Sequence, residues 1–210
     1  MHTSTLKNLL EAGAHLGHRK EKVNPQLKSI IMGERGAIHL INLEQTIPVL
    51  RRALILISDI IAIGGDILIV GSKGRLADIL DREADKMGQP YCAPKWAGGL
   101  ITNWNKFEII LKRQKTQRKK RKGALGLRNC RRVPDLIVIM NGETSRIGWA
   151  VKEANSCSIP VVAIADTNVH VGGFHYRIPS NDDSRSIAAL HLKLVKEAVQ
   201  NGLRRRVTQL

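Results

Sequence analysis

The stretch HLGHRKEK places His15 and His18 three residues apart, with Arg19, Lys20 and Lys22 directly behind them. Paired histidines suit metal ligation or proton transfer, but a metal needs a third ligand and a catalytic histidine needs a nucleophile or an orienting carboxylate. No third metal ligand is evident at useful spacing and a single sequence does not reveal a nucleophile or orienting carboxylate, so backbone positioning and contact with RNA fit these residues better. GSKGR, Gly71–Arg75, follows an apolar run and opens a helical pattern, where α/β folds bind phosphate through free backbone N–H groups. It has neither the Walker lysine pattern nor the dinucleotide GxGxxG spacing. Lys73 and Arg75 are therefore read as phosphate contacts, and no cofactor is expected.

Two further groups admit two readings each. Asn181–Asp183 together with Asp166 offers oxygen ligands for a metal; the simpler account has Asn181 or Asp182 capping the helix that follows. Trp96 and Trp104 flank AGGLITN. Trp104 reads as core, whereas Trp96, beside Lys95, is either core or a residue that stacks on an unpaired base.

The chain of 210 residues carries a formal charge of +16, from 34 Lys and Arg against 18 Asp and Glu. Between Phe107 and Arg132 there are 11 basic residues and one acidic one, so this window holds +10 and the remainder +6. Its cations are Lys112, Arg113, Lys115, Arg118, Lys119, Lys120, Arg121, Lys122, Arg128, Arg131 and Arg132. Like charges at successive turns oppose a helix, so the tract makes sense only against a polyanion, which means nucleic acid or anionic lipid. Lipid would require a matching apolar face, and the most apolar region, Ile55–Val70, is interrupted by Asp59, Gly64, Gly65 and Asp66, well short of the roughly 20 residues that span a bilayer. Aromatic residues make up only 3%, so affinity would come mainly from phosphate contacts and shape, which points to folded RNA. Lys28, Lys95, Trp96, Asn103 and Lys106, around the same stretches, complete the candidate RNA contacts.

The elements that position these residues alternate. Ala37–Asn42, Asp66–Gly71, Asp135–Met140 and Val161–Asp166 are short, β-branched and apolar on both faces, as strands of a covered parallel sheet are. Pro90–Ala93 adds one short strand. Between them, LEQTIPVLRRALILISDIIAIG, RLADILDREADKMG, RIGWAVKEANSCS and SRSIAALHLKLVKEAVQNG repeat apolar residues at helical spacing, the first two ending at Gly64 and Gly88. A helix from Asn103 would present Trp104, Phe107, Ile110 and Leu111 on one face and leave the core where the charge begins. Alternation of this kind predicts right-handed βαβ units in one α/β domain over 1–210 with three layers, flavodoxin-like or Rossmann-like, interrupted by a basic insertion at 104–133.

Cys92, Cys130 and Cys157 are odd in number and widely spaced, fitting neither a disulfide framework nor a zinc site; buried or neutral thiols in a reducing compartment are expected. The opening MHTSTLKNLLEAGAHLGH has the character of neither a secretory signal nor a transit peptide.

At EAGAHLGHRKEKVNPQLKSIIMGERGAIHLINLEQT, Glu11–Thr46, the chain resembles the universal ribosomal protein S2 family of the small subunit. The resemblance continues in order through WAGGLITNW, PDLIVIM, KEANSCSIPVVAIADTN and IPSNDD, covering about Leu6 to Gly202. It implies a flavodoxin-like fold with a five-stranded parallel sheet, no catalytic activity, and a place near the head–body junction of the small subunit, bound to its rRNA and packed on neighbouring ribosomal proteins. Bacterial members also help to anchor ribosomal protein one, and no homo-oligomer is implied. They carry a long coiled-coil hairpin where this sequence has only Trp104–Val133, and an acidic tail where it has RRRVTQL. These departures resemble the organellar versions, which implies a mitochondrial matrix ribosome, with bacterial cytoplasm or plastid as alternatives. The rival reading, a nucleotide-dependent α/β enzyme, rests on GSKGR and leaves the +10 tract without a purpose.

Overall fold

The computed structural model describes residues 6–71, 74–92, 96–109, 126–141, 145–169 and 172–208, with backbone alone at 74–78, 81, 85, 128–129 and 145–146. Its centre is a five-stranded parallel sheet of β4 (Ile67–Val70), β5 (Tyr91–Cys92), β6 (Leu136–Ile139), β7 (Val161–Ala165) and β8 (Tyr176–Pro179), ordered β5-β4-β6-β7-β8. Renumbered from the first parallel strand, that order is 2-1-3-4-5, the flavodoxin-like wrap. Successive residues send their side chains to opposite faces. Ile67, Ile69, Leu136, Val138, Val162 and Ile164 therefore face one apolar layer, and Leu68, Val70, Ile137, Ile139, Val161 and Ala163 the other.

Helices cover both faces, as a sheet apolar on both sides requires. The first layer is built by α1 (Leu6–Ala12), α2 (Leu43–Ala62), α3 (Gly74–Met87) and α6 (Arg185–Thr208). The second contains α5 (Ser145–Ser156), the loop that carries Trp96, Leu100 and Ile101, and the described part of α4, residues 104–109, through Trp104 and Phe107. Asn42 starts α2 by accepting the Glu44 amide on its side-chain oxygen at 3.0 Å, the usual way a free first-turn N–H is satisfied. Pro48 lies inside α2, in its second turn, where its missing N–H leaves the Glu44 carbonyl without an intrahelical donor.

One expectation is corrected. Ala37–Asn42, read as a strand of the parallel sheet, holds β3 (Ile38–Ile41), which lies between β1 (Leu16–Arg19) and β2 (Ile31–Arg35) in a separate three-stranded antiparallel sheet. Ile38 is exposed and His39 and Leu40 half-buried, so one side of the strand meets water, which antiparallel sheets tolerate and parallel ones do not. The fifth parallel strand is instead β8, whose YRIP was too short and polar to register as one.

Candidate nucleic-acid interface

The small antiparallel sheet is seated on the end of the parallel one. His18 N–H donates to Thr167 Oγ1 at 3.1 Å, Asn24 N–H to the Thr167 carbonyl at 2.9 Å, and Asn24 Nδ2 to the Val169 carbonyl at 3.2 Å. The segment from Leu16 to Ile30 is thus tied to the loop after β7, at the carboxyl ends of the strands, where open α/β sheets hold their ligands. Arg19, Lys22 and Lys28 are exposed along it.

His18 is not free to meet RNA. Its ring, only 11% exposed, is held between two carboxylates: Nδ1 is 2.9 Å from Asp166 Oδ2, and Nε2 is 3.2 Å from Asp183 Oδ2, with Asn168 Nδ2 at 3.3 Å from the same nitrogen. Asp166 against the ring raises the His18 pKa above its ordinary value; burial opposes this, and the charges of Asp166, Asp183 and Asp182 add to it. An imidazole between carboxylates, an arrangement that favours its charged form, joins β1 to the loops after β7 and β8. The same geometry revises the Asn181–Asp183 reading. Asn181 Oδ1 accepts the Asp183 and Ser184 amides at 2.9 and 3.3 Å, while the Ser184 carbonyl accepts the Ala188 amide, so Asn181 orders the turn that leads into α6 and Ser184 stands at its start. Among the described residues no group of three or more His, Cys, Asp or Glu is arranged to hold a metal ion.

Trp96 is core. It is 8% exposed and its indole N–H donates to Glu153 Oε1 at 3.0 Å, which leaves no free ring face for a base. Glu153, on α5, also accepts the Gly99 and Ile101 amides at 2.8 and 3.1 Å. Burial alone would raise its pKa, but the donors, the indole first among them, outweigh burial and keep the carboxyl below its ordinary value. One buried carboxylate thereby fixes the whole loop, which places Asn103 and Lys106 in exposed positions at its far end and packs Trp104 against Phe107 with ring centroids 6.2 Å apart.

Arg132 is likewise engaged with the protein. Its Nη2 donates to the Gly64 carbonyl at 2.9 Å and to Asp135 Oδ2 at 3.0 Å, with Nε 3.4 Å from Asp66 Oδ2. It staples the amino ends of β4 and β6, the opposite end of the sheet from His18. Lys20 pairs with Glu34, and His15 is half-buried. Arg131 is exposed. Lys73, Lys95 and the tract Lys112, Arg113, Lys115, Arg118, Lys119, Lys120, Arg121 and Lys122 lie outside the described residues, as do the side chains of Arg75 and Arg128. Of the cations predicted to contact RNA, those described and left outward are Arg19, Lys22 and Lys28 at one end, Lys106 on the α5 side and Arg131 near the other end. They do not form a single patch.

A family model, Ribosomal protein S2, matches the chain over residues 9–202. The chain belongs to the ribosomal protein S2 family. Relatives named small ribosomal subunit protein uS2 include one from Methylobacterium radiotolerans, 35% identical over 96% of this chain and 62% of that protein. Others are from Rhizorhabdus wittichii (34%, 95% and 88%) and Paramagnetospirillum magneticum (33%, 99% and 86%). The chain spans about 62% of the length of the Methylobacterium relative. Against the Rhizorhabdus protein the match runs over 223 positions but takes in 95% of 210 residues, about 200, so that relative fills some two dozen positions with residues this chain lacks. The expectation of a specifically mitochondrial version receives no support, because these relatives are bacterial.

Within the family frame, residue reading missed Glu153, Asp166 and Asp183 as organisers. Each is an acid in a strongly basic chain, sited at a strand or helix end, and an acid held there against that charge was the available signal. Cys92 and Cys130 are buried, with thiol pKa pushed up to about 12 by burial, whereas Cys157 is exposed.

Proposed function

We propose that the protein is a structural constituent of a bacterial-type small ribosomal subunit, bound to small-subunit rRNA and to neighbouring ribosomal proteins and having no catalytic role. The observation that carries this reading is the family match over residues 9–202, joined to a +16 charge that a nucleotide-dependent enzyme has no use for. Exposed Arg19, Lys22, Lys28, Lys106 and Arg131, with Lys73, Arg75, Lys95 and the Lys112–Lys122 tract, supply the phosphate contacts, and His18, Trp96 and Arg132 hold the surfaces that present them. Phosphate contacts set register and orientation on RNA without reading its sequence, which suits a protein recognising a folded shape. The single domain over 1–210 contacts rRNA near the head–body junction, and its 104–133 insertion takes the place of a longer hairpin. The bacterial cytoplasm fits the relatives; a mitochondrial or plastid ribosome of bacterial ancestry is the second setting. Among the described residues no helix is long and apolar enough to cross a membrane.

Sedimentation of a cell lysate at moderate and then high salt, following the chain by mass spectrometry, tests the reading. Co-migration with the small subunit, lost on salt stripping, is the expected result. Retention in the light soluble fraction at low salt would overturn it.

A further inference from the structure

We infer that Trp149, on the outward face of α5, is a stacking contact for an unpaired base of the small-subunit rRNA, with Lys152 as its cationic partner. This rests on the rRNA-binding reading above and adds to it a residue and a mode of contact. Trp149 is 61% exposed, while the other two tryptophans are engaged internally, Trp96 with Glu153 and Trp104 with Phe107. On α5 the inward positions are Ile147, Ala150, Val151 and Ala154; Trp149 falls on the opposite side of the helical wheel with exposed Lys152 and Ser156. The Lys152 ammonium stands 5.4 Å from the indole centroid, within cation–π range. That leaves one ring face to the lysine and one to solvent.

The surroundings suit a polyanion. Trp149 precedes by one turn Glu153, which holds the Gly99–Thr102 loop, and neighbours four apart share a flank. Trp149 therefore stands on the flank where the loop leading to exposed Asn103 and Lys106 is docked. A Cβ at Gly148, beside Trp149, or at Gly98 in the loop would meet no atom within 4 Å, so a bulky ligand can approach the backbone there. A tryptophan accompanied by lysine and bare glycines matches the two needs of a nucleotide, a π-face for the base and a cation for the phosphate. Charge selects the occupant: in a chain of +16 the outward residues of this helix are uncharged or basic, which complements RNA.

The test uses the full chain and a transcript of bacterial small-subunit rRNA, with Trp149→Ala and Trp149→Phe. Trp149→Ala is expected to weaken binding about 5- to 150-fold, the range of one base stack, at unchanged melting temperature. The slope of affinity against salt should stay the same, because no phosphate contact is removed. Trp149→Phe, which keeps a π-face, should recover most of the loss. Indole emission should be quenched by the transcript in the wild type and less so in Trp149→Phe, which lacks only this fluorophore. Wild-type affinity in Trp149→Ala, or quenching identical in the wild type and Trp149→Phe, overturns the inference while leaving the rRNA reading intact. So does normal binding of Trp149→Ala to free transcript with loss only from assembled subunits, which would make the occupant a protein. A wild-type chain that fails to bind the transcript at low salt fails the earlier reading instead.

Discussion

At the scale of single residues, buried acids and histidines in a basic chain hold its parts together, and their removal is costly. Glu153→Ala strips a partner from the Trp96 indole and from the Gly99 and Ile101 amides at once. Each buried donor left unpaired costs about 1–3 kcal/mol, so a loss of about 3 kcal/mol or more is expected, seen as a lower denaturant midpoint. Two histidines give opposite pH dependence. His191 is fully buried beside Ser180 Oγ at 3.0 Å, and burial lowers its pKa to about 4. Because the unfolded chain takes up that proton near pH 6.5 and the folded chain only near 4, stability falls as pH drops from about 6.5 to 4, by about 3 kcal/mol for this group. His18, with its pKa raised, stabilises most below the unfolded value and gives that stability up as pH rises through the folded one. A denaturation series in which His191→Asn flattens the acid limb, and His18→Asn lowers stability more at pH 6 than at pH 9, checks both signs. The sequence displayed the residue types but not these pairings: the partners of His18 lie about 150 positions away, and no local pattern reports a contact made by topology.

At the scale of elements, what periodicity could show, it showed. The runs that became β4, β6 and β7 and the four long helical patterns were legible because burial on both faces, or along one stripe, forces a regular apolar repeat. β1, β2 and β8 were hidden because they are short and only partly buried, and the strand at Ala37–Asn42 was legible but its antiparallel sheet was not, because that pairing is set by docking rather than by pattern. The end of α5 illustrates a local rule met with an imperfect residue. Ile159 N–H donates to the Ala154 carbonyl and Ser158 N–H to that of Asn155, the paired bonds of a Schellman stop, and Ser158 occupies the left-handed position at φ 57°. Side chains other than glycine pay for that conformation, so Ser158→Gly should stabilise the protein by about 0.5–1 kcal/mol, read as a rise in melting temperature. The α2–α6 crossing is less forgiving. A Cβ at Gly202 would lie 2.5 Å from the Ser58 carbonyl and 2.7 Å from Ile61 Cβ, so Gly202→Ala forces the helices apart and should cost about 1–3 kcal/mol.

At the scale of the whole molecule, the question is how a scaffold whose predicted RNA-contacting cations, among the described residues, are scattered over two ends and one side binds strongly. Isolated surface charges each contribute little in water, but a polyanion that spans all of them releases a counterion at every phosphate neutralised, and these contributions accumulate in one binding event. The ion pairs within the fold fit this division of labour. Lys20 is committed to Glu34, Arg132 to Asp66 and Asp135, and Arg205 to Asp59, which fixes the scaffold and leaves Arg19, Lys22, Lys28, Lys106 and Arg131 outward. The sequence made the excess of +10 in the 107–132 window visible without revealing which cations were already spoken for, since pairing depends on strand ends that meet only in the folded sheet. If six to ten cations contact phosphate, affinity for a small-subunit rRNA transcript should fall by about three to five decades between 50 and 200 mM salt. Reversing Lys119–Lys122 to glutamate should reduce that slope by several units, because each lost phosphate contact removes about one. Reversing Arg132 should lower the melting temperature and change the slope far less. Equal slopes in the wild type and the Lys119–Lys122 variant would place the dominant RNA contact on the globular domain instead of its insertion.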